Sequence, residues 1–175
     1  MVEVQDSWDA DEAITRLFGA HYRSLVRLGV LLLRDQGAAE EVVQDAYVGL
    51  HSRWRQLRDA DRALAYLRAS VVNRSRSRLR HRQVVERFAA ASRPPPDMPS
   101  AEAGALDALE HTEVIAALHA LPTRQREAIV LRYYVDLSEA DIAEAMGISR
   151  GAVKSHTSRG VAALRARLGE RGERS

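Results

Sequence analysis

The chain has 175 residues, 26 basic and 24 acidic side chains, a net charge of +2 and no cysteine. That length allows one ordinary domain or two small ones, and the lack of cysteine excludes disulfides, a thiolate nucleophile and a cysteine-based zinc site. The six histidines are scattered without metal-ligand spacing, so no metal is expected. Alanine, leucine, arginine and glutamate dominate and no stretch alternates as a strand does, which predicts an all-α protein.

The hydropathy of the chain indicates its cellular location, and its motifs indicate whether it is an enzyme. The longest apolar run, residues 28–33, is far too short to span a bilayer, and the acidic start around Asp6, Asp9 and Asp11 is opposite in charge to a signal peptide. We therefore expect a cytoplasmic protein. No nucleophile, base and orienting group cluster in the sequence and no glycine-rich phosphate loop occurs, so we expect no enzymatic activity, cofactor or small-molecule substrate.

Three helices are predicted in the first ninety residues. Apolar side chains recur at helical spacing over residues 13–33, 38–54 and 62 to beyond 82. The second helix turns an acidic and amide-rich face outward, formed by Glu40, Glu41, Gln44 and Asp45, and this face is suited to binding a partner. The far half of the third helix, residues 73–82, is polar almost all round.

Positive charge is concentrated in two stretches. Twelve arginines lie between residues 53 and 93 against three acidic residues, and a second excess of basic residues follows residue 149. The stretch between them is acidic. Two basic faces separated by an acidic connector indicate two contacts on one extended polyanion, although basic surfaces also occur on proteins that bind no nucleic acid.

A linker is predicted between two domains. Residues 93–105 are proline-rich and acidic, and consecutive prolines exclude a regular helix, so this segment is expected to be flexible. It would separate a first domain, residues 1–92, from a second, residues 106–175. In the second domain Val114 and Ile115 belong to one predicted apolar stripe, and a helix over residues 123–134 is expected to bury Tyr133.

Residues 138–159 predict a helix-turn-helix. Ser138 followed by Asp141 matches a capping box, so a helix should begin near Ser138. Gly147 suits the left-handed end of that helix, and Ser149 can cap the next one. The second helix of such a motif can enter the major groove of DNA.

This second helix has an inner face and a face suited to reading bases. Its apolar residues recur at three- and four-residue steps from Val153 onward and point inward. On the opposite side, Ser155 and Ser158 can bond to base edges. Lys154 and Arg159 flank them and can hold phosphates or a guanine edge. A merely solvated amphipathic helix is the alternative, but the caps, the turn glycine and the basic flanks together favour a DNA reader.

Two parts of the chain resemble a known family. Residues 121–134, with 137–143 and 153–160, resemble the promoter-reading domain of bacterial sigma-70-type factors. The segments AEEVVQDAY at 39–47 and AYLRASVVN at 65–73 resemble the core-binding and promoter-melting domain of the same factors. Both halves occur in the family's order with no domain between them, which resembles the small extracytoplasmic-function (ECF) class.

The resemblance implies partners. It implies a specificity subunit that binds core RNA polymerase through the large-subunit coiled coil and the flap, with Glu41, Gln44 and Asp45 at the positions that contact the coiled coil. It also implies promoter DNA as a partner, and it allows an anti-sigma protein.

The resemblance further implies two sets of promoter contacts. For the minus-ten element, the matching positions are Leu57, Arg58, Asp59, Ala60 and Asp61 in a loop, Asn73 and Ser77 on the third helix, and Arg74, Arg76, Arg78 and Arg80 for the phosphates. For the minus-thirty-five element, they are Lys154, Ser155, Ser158 and Arg159, with Arg150 and His156 as phosphate neighbours. Between Leu57 and Arg82, Tyr66 is the only aromatic residue, so melting should depend heavily on a matched promoter sequence.

Two other readings of the sequence remain. A transcription regulator outside the sigma family can end in a similar helix-turn-helix, but the receiver domain of two-component regulators requires alternating strands and helices, which the first ninety residues lack. The other reading is an enzyme or a purely protein-binding helical bundle.

Overall fold

The computed structural model describes residues 2–57, 59–91 and 108–172. Within these ranges the chain forms seven α-helices, one π-helical turn and no strand, which confirms the predicted all-α class. The helices are α1 (Val2–Leu33), α2 (Gln36–Leu57), α3 (Ala60–Ala90), α4 (Ala108–His119), α5 (Thr123–Ile129), α6 (Glu139–Met146) and α7 (Arg150–Gly172), and the π-helical turn is Val130–Tyr134.

The connection between α2 and α3 is shorter than the predicted loop. Leu57 is the last residue of α2, whereas Ala60 and Asp61 already belong to α3. Asp59 caps α3, because its Oδ1 accepts a 2.8 Å hydrogen bond from the Asp61 N–H. The polar residues expected in a loop therefore surround a helix start.

Helices α1, α2 and α3 form the first helical unit. Leu28, Leu50 and Leu67 lie at its centre, each at most 1% exposed. The α1 and α2 backbones approach closely at Gly29, where an added Cβ would lie 2.8 Å from the Ala39 Cβ. The close approach requires small residues there, and it fixes how the outward face of α2 is oriented.

Helices α4 to α7 and the π-helical turn form the second unit. Helix α7 packs tightly on α5, since a Cβ added at Gly160 would lie 2.5 Å from the Ile129 Cδ1. The predicted burial of Tyr133 is wrong, because this side chain is 66% exposed. The i to i+5 bonding of the π-helical turn, with Val135 N–H donating to Val130 O over 3.1 Å, widens the turn and changes which side chains face inward.

The apolar stripe predicted for α4 is also partly wrong. Val114 is 49% and Ile115 38% exposed, whereas Ala117 and Leu118 are buried. The buried stripe is thus displaced toward the C-terminal end of α4, where the helix meets the rest of the second unit.

The two units pack against each other. Helix α6 lies against α3, and α4, α5 and the π-helical turn contact α1. Buried apolar side chains from both units form one continuous cluster. The predicted linker, residues 93–105, lies outside the described residues, and the predicted domain boundaries stay a prediction.

Candidate nucleic-acid interface

The helix-turn-helix forms as its local sequence dictates. The Asp141 N–H donates to Ser138 Oγ over 3.1 Å, and Ser138 Oγ donates to Asp141 Oδ2 over 2.5 Å. Gly147 ends α6 with φ 65° and ψ 40°, the left-handed conformation that glycine adopts most readily. Ser149 Oγ accepts a 3.2 Å hydrogen bond from the Ala152 N–H at the start of α7. The predicted caps and turn are confirmed.

Contacts from the preceding helix hold this motif in place. The Arg124 Nη1 donates to the Met146 carbonyl over 3.0 Å at the end of α6. Ile142 on α6 and Val153 on α7 are at most 1% exposed and belong to the same buried apolar cluster. The DNA-reading candidate is therefore a fixed surface on a packed scaffold.

The predicted reading residues lie along the first half of α7. Arg150, Lys154, Ser158 and Arg159 are exposed, while Ser155 and His156 are partly buried. Lys154 Nζ lies 3.7 Å from Glu139 Oε2, and the lysine side chain keeps 68% of its surface exposed. This pairing is weak enough to be exchanged for a phosphate or a base.

A groove adjoins the reading face. Its volume is about 400 Å³, and it lies between the π-helical turn, α6 and α7. Tyr133, Arg165 and Lys154 contribute to its walls. The exposed Tyr133 therefore adds an aromatic edge to a basic surface.

A second groove, of about 670 Å³, lies between α2 and α3. Asn73, Ser77 and Tyr66 line it. The Arg53 guanidinium sits 5.7 Å from the centre of the Tyr66 ring, within the range of a cation–π contact. The groove brings together an aromatic ring, an amide and a hydroxyl, the groups that stack on an unpaired base and bond to its edge.

Acidic residues of α2 pair with arginines of α3 beside this groove. Arg78 Nη1 donates to Glu41 Oε2 over 2.6 Å, and Arg74 Nη1 donates to Asp45 Oδ2 over 3.5 Å. Gln44 and both carboxylates are exposed as predicted, whereas Glu40, the fourth residue of the predicted outward face, is half-buried. Two residue sets predicted to serve different partners are thus in direct contact.

Arg76 occupies a different environment from the other arginines of α3. Its Nε and Nη2 donate to the two carboxylate oxygens of Glu127 over 2.9 and 2.7 Å. The side chains of Arg76 and Glu127 are 14% and 2% exposed. Arg76 therefore joins the two helical units, and in this arrangement it does not face solvent as a phosphate-binding residue would.

Further charged groups lie around this contact. Arg126 is 7% exposed, its Nη1 donates to the His119 carbonyl over 2.9 Å, and burial lowers its pKa. Burial, with the nearby Arg126 and Arg34, lowers the pKa of His119 to about 4. Burial also lowers the pKa of Arg68 on α3, although Asp141 on α6 opposes that shift. The unit interface therefore holds several basic groups at the cost of removing them from water.

The remaining predicted minus-ten residues lie near the α2–α3 connection or along α3. Leu57, Asp59, Ala60 and Asp61 cluster at the connection, and Arg58 lies outside the described residues. Arg80 is exposed and its Nη2 donates to Ser77 Oγ over 3.5 Å. Asn73 Oδ1 accepts a 3.1 Å hydrogen bond from Arg76 Nη1.

Sequence reasoning missed two features of this surface: the position of Tyr66 in the groove and the pairing of Arg76 with Glu127. Tyr66 lies two helical turns before Asn73, a spacing that could have assigned both to one face of α3. The sequence does not indicate that Glu127 pairs with Arg76, because the two residues are 51 positions apart.

The described part of the chain also bears on two other functions. Among those residues, no group of three or more histidine or acidic side chains could hold a metal ion. No helix there combines the length and apolarity needed to cross a bilayer.

Family models match both units. Residues 17–84 match the model for sigma-70 region 2, and residues 111–164 match the model for sigma-70 region 4. The first match contains α2 and most of α3, with the groove and its arginines. The second contains the whole helix-turn-helix.

Curated relatives cover most of the chain. It is 30% identical over 145 residues to the RNA polymerase sigma-E factor of Streptomyces coelicolor, covering 83% of this chain and 80% of that protein. It is 33% identical over 178 residues to the ECF RNA polymerase sigma factor SigL of Mycobacterium tuberculosis, covering 98% of each.

Solved structures share the fold. The sigma factor RpoE from Bartonella quintana, in complex with the anti-sigma factor NepR, matches with a TM-score of 0.70 at 24% identity, covering 89% of this chain and 96% of that one. CnrH, in complex with the cytosolic domain of CnrY, matches with a TM-score of 0.66 at 25% identity, covering 94% of this chain and 97% of that one.

A helix-turn-helix unit that follows a three-helix unit with an arginine-flanked groove is the arrangement of a promoter-binding protein. The chain belongs to the sigma-70 family of RNA polymerase sigma factors, in the ECF group. It is an alternative sigma factor that directs RNA polymerase to promoters, so core RNA polymerase and promoter DNA are its partners. The region 2 match excludes the alternative of a helix-turn-helix regulator outside this family.

Proposed function

We propose that the α2–α3 groove captures an unpaired base of the minus-ten element while the first half of α7 reads the minus-thirty-five element. The groove carries the proposal, because Asn73, Ser77, Arg74 and Arg78 share one cavity. A groove that binds only the open form of the duplex shifts the equilibrium toward opening. Binding energy then opens the promoter without a catalytic site on this chain.

The arginines of α3 would hold the strand by its phosphates. Arg74, Arg78 and Arg80 are near enough to solvent to do so. The ion pairs of Arg74 and Arg78 are with exposed carboxylates and are weak, and Arg80 bonds, among the described residues, only to the Ser77 hydroxyl. Leu57, Arg58, Asp59, Ala60 and Asp61 would form the rim that the displaced strand meets. Arg76 would join the phosphate contacts only after it separates from Glu127.

The outward face of α2 would bind polymerase. Glu41, Gln44 and Asp45 lie one helical turn apart on an exposed surface, which suits the large-subunit coiled coil, and the second unit would bind the flap. One protein of similar fold is described as a complex with an anti-sigma factor, so we include such a protein among the partners of this chain. These roles place the protein in the cytoplasm as a non-catalytic subunit.

In this account the chain divides as the sequence predicts. Residues 1–92 form the minus-ten and polymerase-binding domain, residues 93–105 the linker, and residues 106–175 the minus-thirty-five domain. The matched family regions fall inside the two proposed domains.

The test uses core RNA polymerase with the purified chain and a single-stranded minus-ten oligonucleotide. The wild type should bind an oligonucleotide with the correct base more tightly than one that is abasic at the captured position, and Asn73→Ala with Ser77→Ala should remove that difference. Ser52→Ala, at an exposed position of α2 outside the groove, is the control. Equal discrimination by the double variant would refute the groove assignment.

A further inference from the structure

The groove that adjoins the reading face, here called the α7 groove, is walled by side chains that can donate to an anion. Its cationic and hydroxyl-bearing lining residues are Arg132, Lys154, Arg165, Tyr133, Thr157 and Ser158. Such side chains make most of the contacts between proteins and the phosphates and sugars of DNA. Among the described residues that line the groove, Glu139 alone is acidic. The lining therefore suits a polyanionic strand.

Positive charge remains in the α7 groove after its internal pairs are counted. Glu139 Oε2 lies 3.7 Å from Lys154 Nζ, so the single carboxylate offsets one of the three cations. Arg132 Nη1 donates to the Leu137 carbonyl over 3.0 Å, which holds the guanidinium in place without neutralising it. Arg165 is exposed and forms no ion pair with another described residue. Two positive charges are thus left for an outside partner.

Tyr133 supplies an aromatic ring on the wall of the same groove. Its side chain is 66% exposed because the turn that contains it is π-helical, and such turns often occur within helices at functional sites. A tyrosine side chain has an apolar ring and a polar tip. Its ring can therefore pack on a deoxyribose while its hydroxyl donates to the adjoining phosphate.

The α7 groove is continuous with the face that reads the minus-thirty-five element. Lys154 and Ser158 belong to both surfaces. Arg165 lies about three helical turns, or about 16 Å, beyond Lys154 on the same side of α7. In a helix-turn-helix, the N-terminal residues of the second helix contact base edges. Arg165 therefore lies beyond the bases, where the sugar–phosphate backbone borders the major groove.

We propose that the α7 groove binds the sugar–phosphate backbone of the duplex that borders the minus-thirty-five element, with Tyr133 packed on a deoxyribose and Arg165 bonded to a phosphate. The proposal rests on the reading of this element by the first half of α7. It adds affinity and register but no selectivity, because backbone contacts carry no sequence information directly.

Salt-dependent binding tests the two contacts separately. Core RNA polymerase carrying the full chain is titrated, by fluorescence anisotropy, onto a labelled duplex promoter that this holoenzyme uses in run-off transcription. Arg165→Ala should weaken binding several-fold and lower the slope of log affinity against log salt by about 1, and Arg165→Lys should restore the slope. Tyr133→Phe should weaken binding with no change of slope, because it removes a hydroxyl and no charge.

The matched control is Arg167→Ala, which removes the same charge from an exposed position of α7 outside the groove lining. It should keep the affinity and the slope of the parent chain. Equal slopes for Arg165→Ala and Arg167→Ala would overturn the proposal. Unchanged affinity in both Arg165→Ala and Tyr133→Phe would also overturn it, and this result is expected if the groove holds an acidic protein segment and not DNA.

Neutral phosphates locate the contact on the DNA. Single phosphates beside the minus-thirty-five element are replaced, one at a time, by methylphosphonates. At the phosphate that Arg165 contacts, the replacement should weaken binding of the parent chain and of Arg167→Ala but have no further effect on Arg165→Ala. Such coupling supports the proposal, whereas independent losses at every scanned position overturn it.

Failure of the reading function gives a different result from failure of the groove contact. If Lys154→Ala with Arg159→Ala leaves discrimination between point-mutated minus-thirty-five elements unchanged, the first half of α7 does not read them, whatever the phosphate scan shows. Arg165→Ala should weaken binding to each of these elements by the same factor. A change in discrimination caused by Arg165→Ala would show that this residue contacts a base, and it would overturn the backbone assignment.

Discussion

Arg78 Nη1 on α3 donates a 2.6 Å hydrogen bond to Glu41 Oε2 on α2, which joins a residue proposed to hold DNA to one proposed to hold polymerase. Arg74 and Asp45 repeat the relationship one helical turn away. The pairs leave each arginine and carboxylate partly exposed, with side-chain exposures from 39% to 65%. In the free chain the acidic face of α2 therefore screens part of the positive potential of the groove.

Removing this screen should raise nonspecific affinity for single strands. We expect Glu41→Gln with Asp45→Asn to bind an unrelated single-stranded oligonucleotide several-fold more tightly, with a steeper dependence on salt, because Arg74 and Arg78 lose their internal partners. The same variant should bind core polymerase more weakly. Fluorescence anisotropy over a salt series measures the first effect, and co-sedimentation with core polymerase the second.

Glu40→Gln is the control for the single-strand measurement on this double variant. Glu40 is next to Glu41 on α2, but its Oε1 accepts a 3.0 Å hydrogen bond from Gln36 Nε2, and it forms no ion pair with an arginine of the described residues. Exposed ion pairs contribute about 0–1 kcal/mol each, so thermal unfolding should hardly change in either variant. A large loss of stability in the double variant would indicate that the pairs are structural.

Selectivity for the minus-thirty-five element should depend on the exposed side chains of α7. Lys154→Ala and Arg159→Ala should each cost about 1–3 kcal/mol if the residue bonds a base, and together they should abolish discrimination between promoters. Both side chains lie on the surface, so the fold should persist. Electrophoretic mobility shifts with point-mutated promoters check this, and Arg167→Ala, later on α7, is the matched control.

If the Lys154 and Arg159 variants lose the same affinity for all promoters, the conclusion is different. It would show that Lys154 and Arg159 hold only phosphates, since a phosphate contact carries no sequence information. The reading of bases would then fall to Ser155 and Ser158.

The helix-turn-helix was predictable because its determinants are local. Ser138, Gly147 and Ser149 act within a few residues of themselves, so their spacing alone identified both caps and the turn. The outward face of α2 followed from helical periodicity in the same way. These parts of the candidate site needed no knowledge of tertiary packing.

Long-range packing determined what the sequence did not predict. The basic run predicts one role for Arg74, Arg76 and Arg78, yet Arg76 pairs with Glu127 in the other unit. An α-helical period predicts that Tyr133 is buried, but the turn containing it is π-helical. In both cases tertiary contacts overrode a local pattern, which a single sequence does not reveal.

Three glycine-to-alanine substitutions should show whether each glycine is required for its backbone conformation or for the space that it leaves to a neighbour. Gly147→Ala should destabilise the chain by about 1–2 kcal/mol, because φ is 65° there and nothing lies within 4 Å of the added Cβ. Gly160→Ala should cost about 1–3 kcal/mol through the Ile129 side chain 2.5 Å away. Gly169→Ala should instead stabilise α7 by about 0.4–1 kcal/mol, since the added methyl meets nothing within 4 Å. Urea unfolding measures all three, and a neutral effect at Gly160 would mean that Ile129 can readily adjust its position.

The pKa of His119 predicts a loss of stability in mildly acidic solution. The folded-state pKa is about 4, below the ordinary value of about 6.5, because burial and the neighbouring Arg126 and Arg34 disfavour the charged ring. Below about pH 6.5 the unfolded chain therefore binds a proton that the folded chain does not. The contribution of His119 to the free energy of unfolding is fully present above about pH 6.5, and it is lost as the pH falls toward 4.

Since Arg34 belongs to the first unit and His119 to the second, the same protonation should also favour separation of the units. Energy transfer between dyes attached at Ser52→Cys in α2 and Ala166→Cys in α7, both exposed positions, should fall over this pH range, and His119→Gln, which cannot be protonated there, should show a smaller fall. His81→Gln, at an exposed position of α3, removes a histidine away from this contact and serves as the control. If His119→Gln and His81→Gln lose stability and energy transfer along the same curve, then protonation of His119 is not what weakens the packing of the two units in acid.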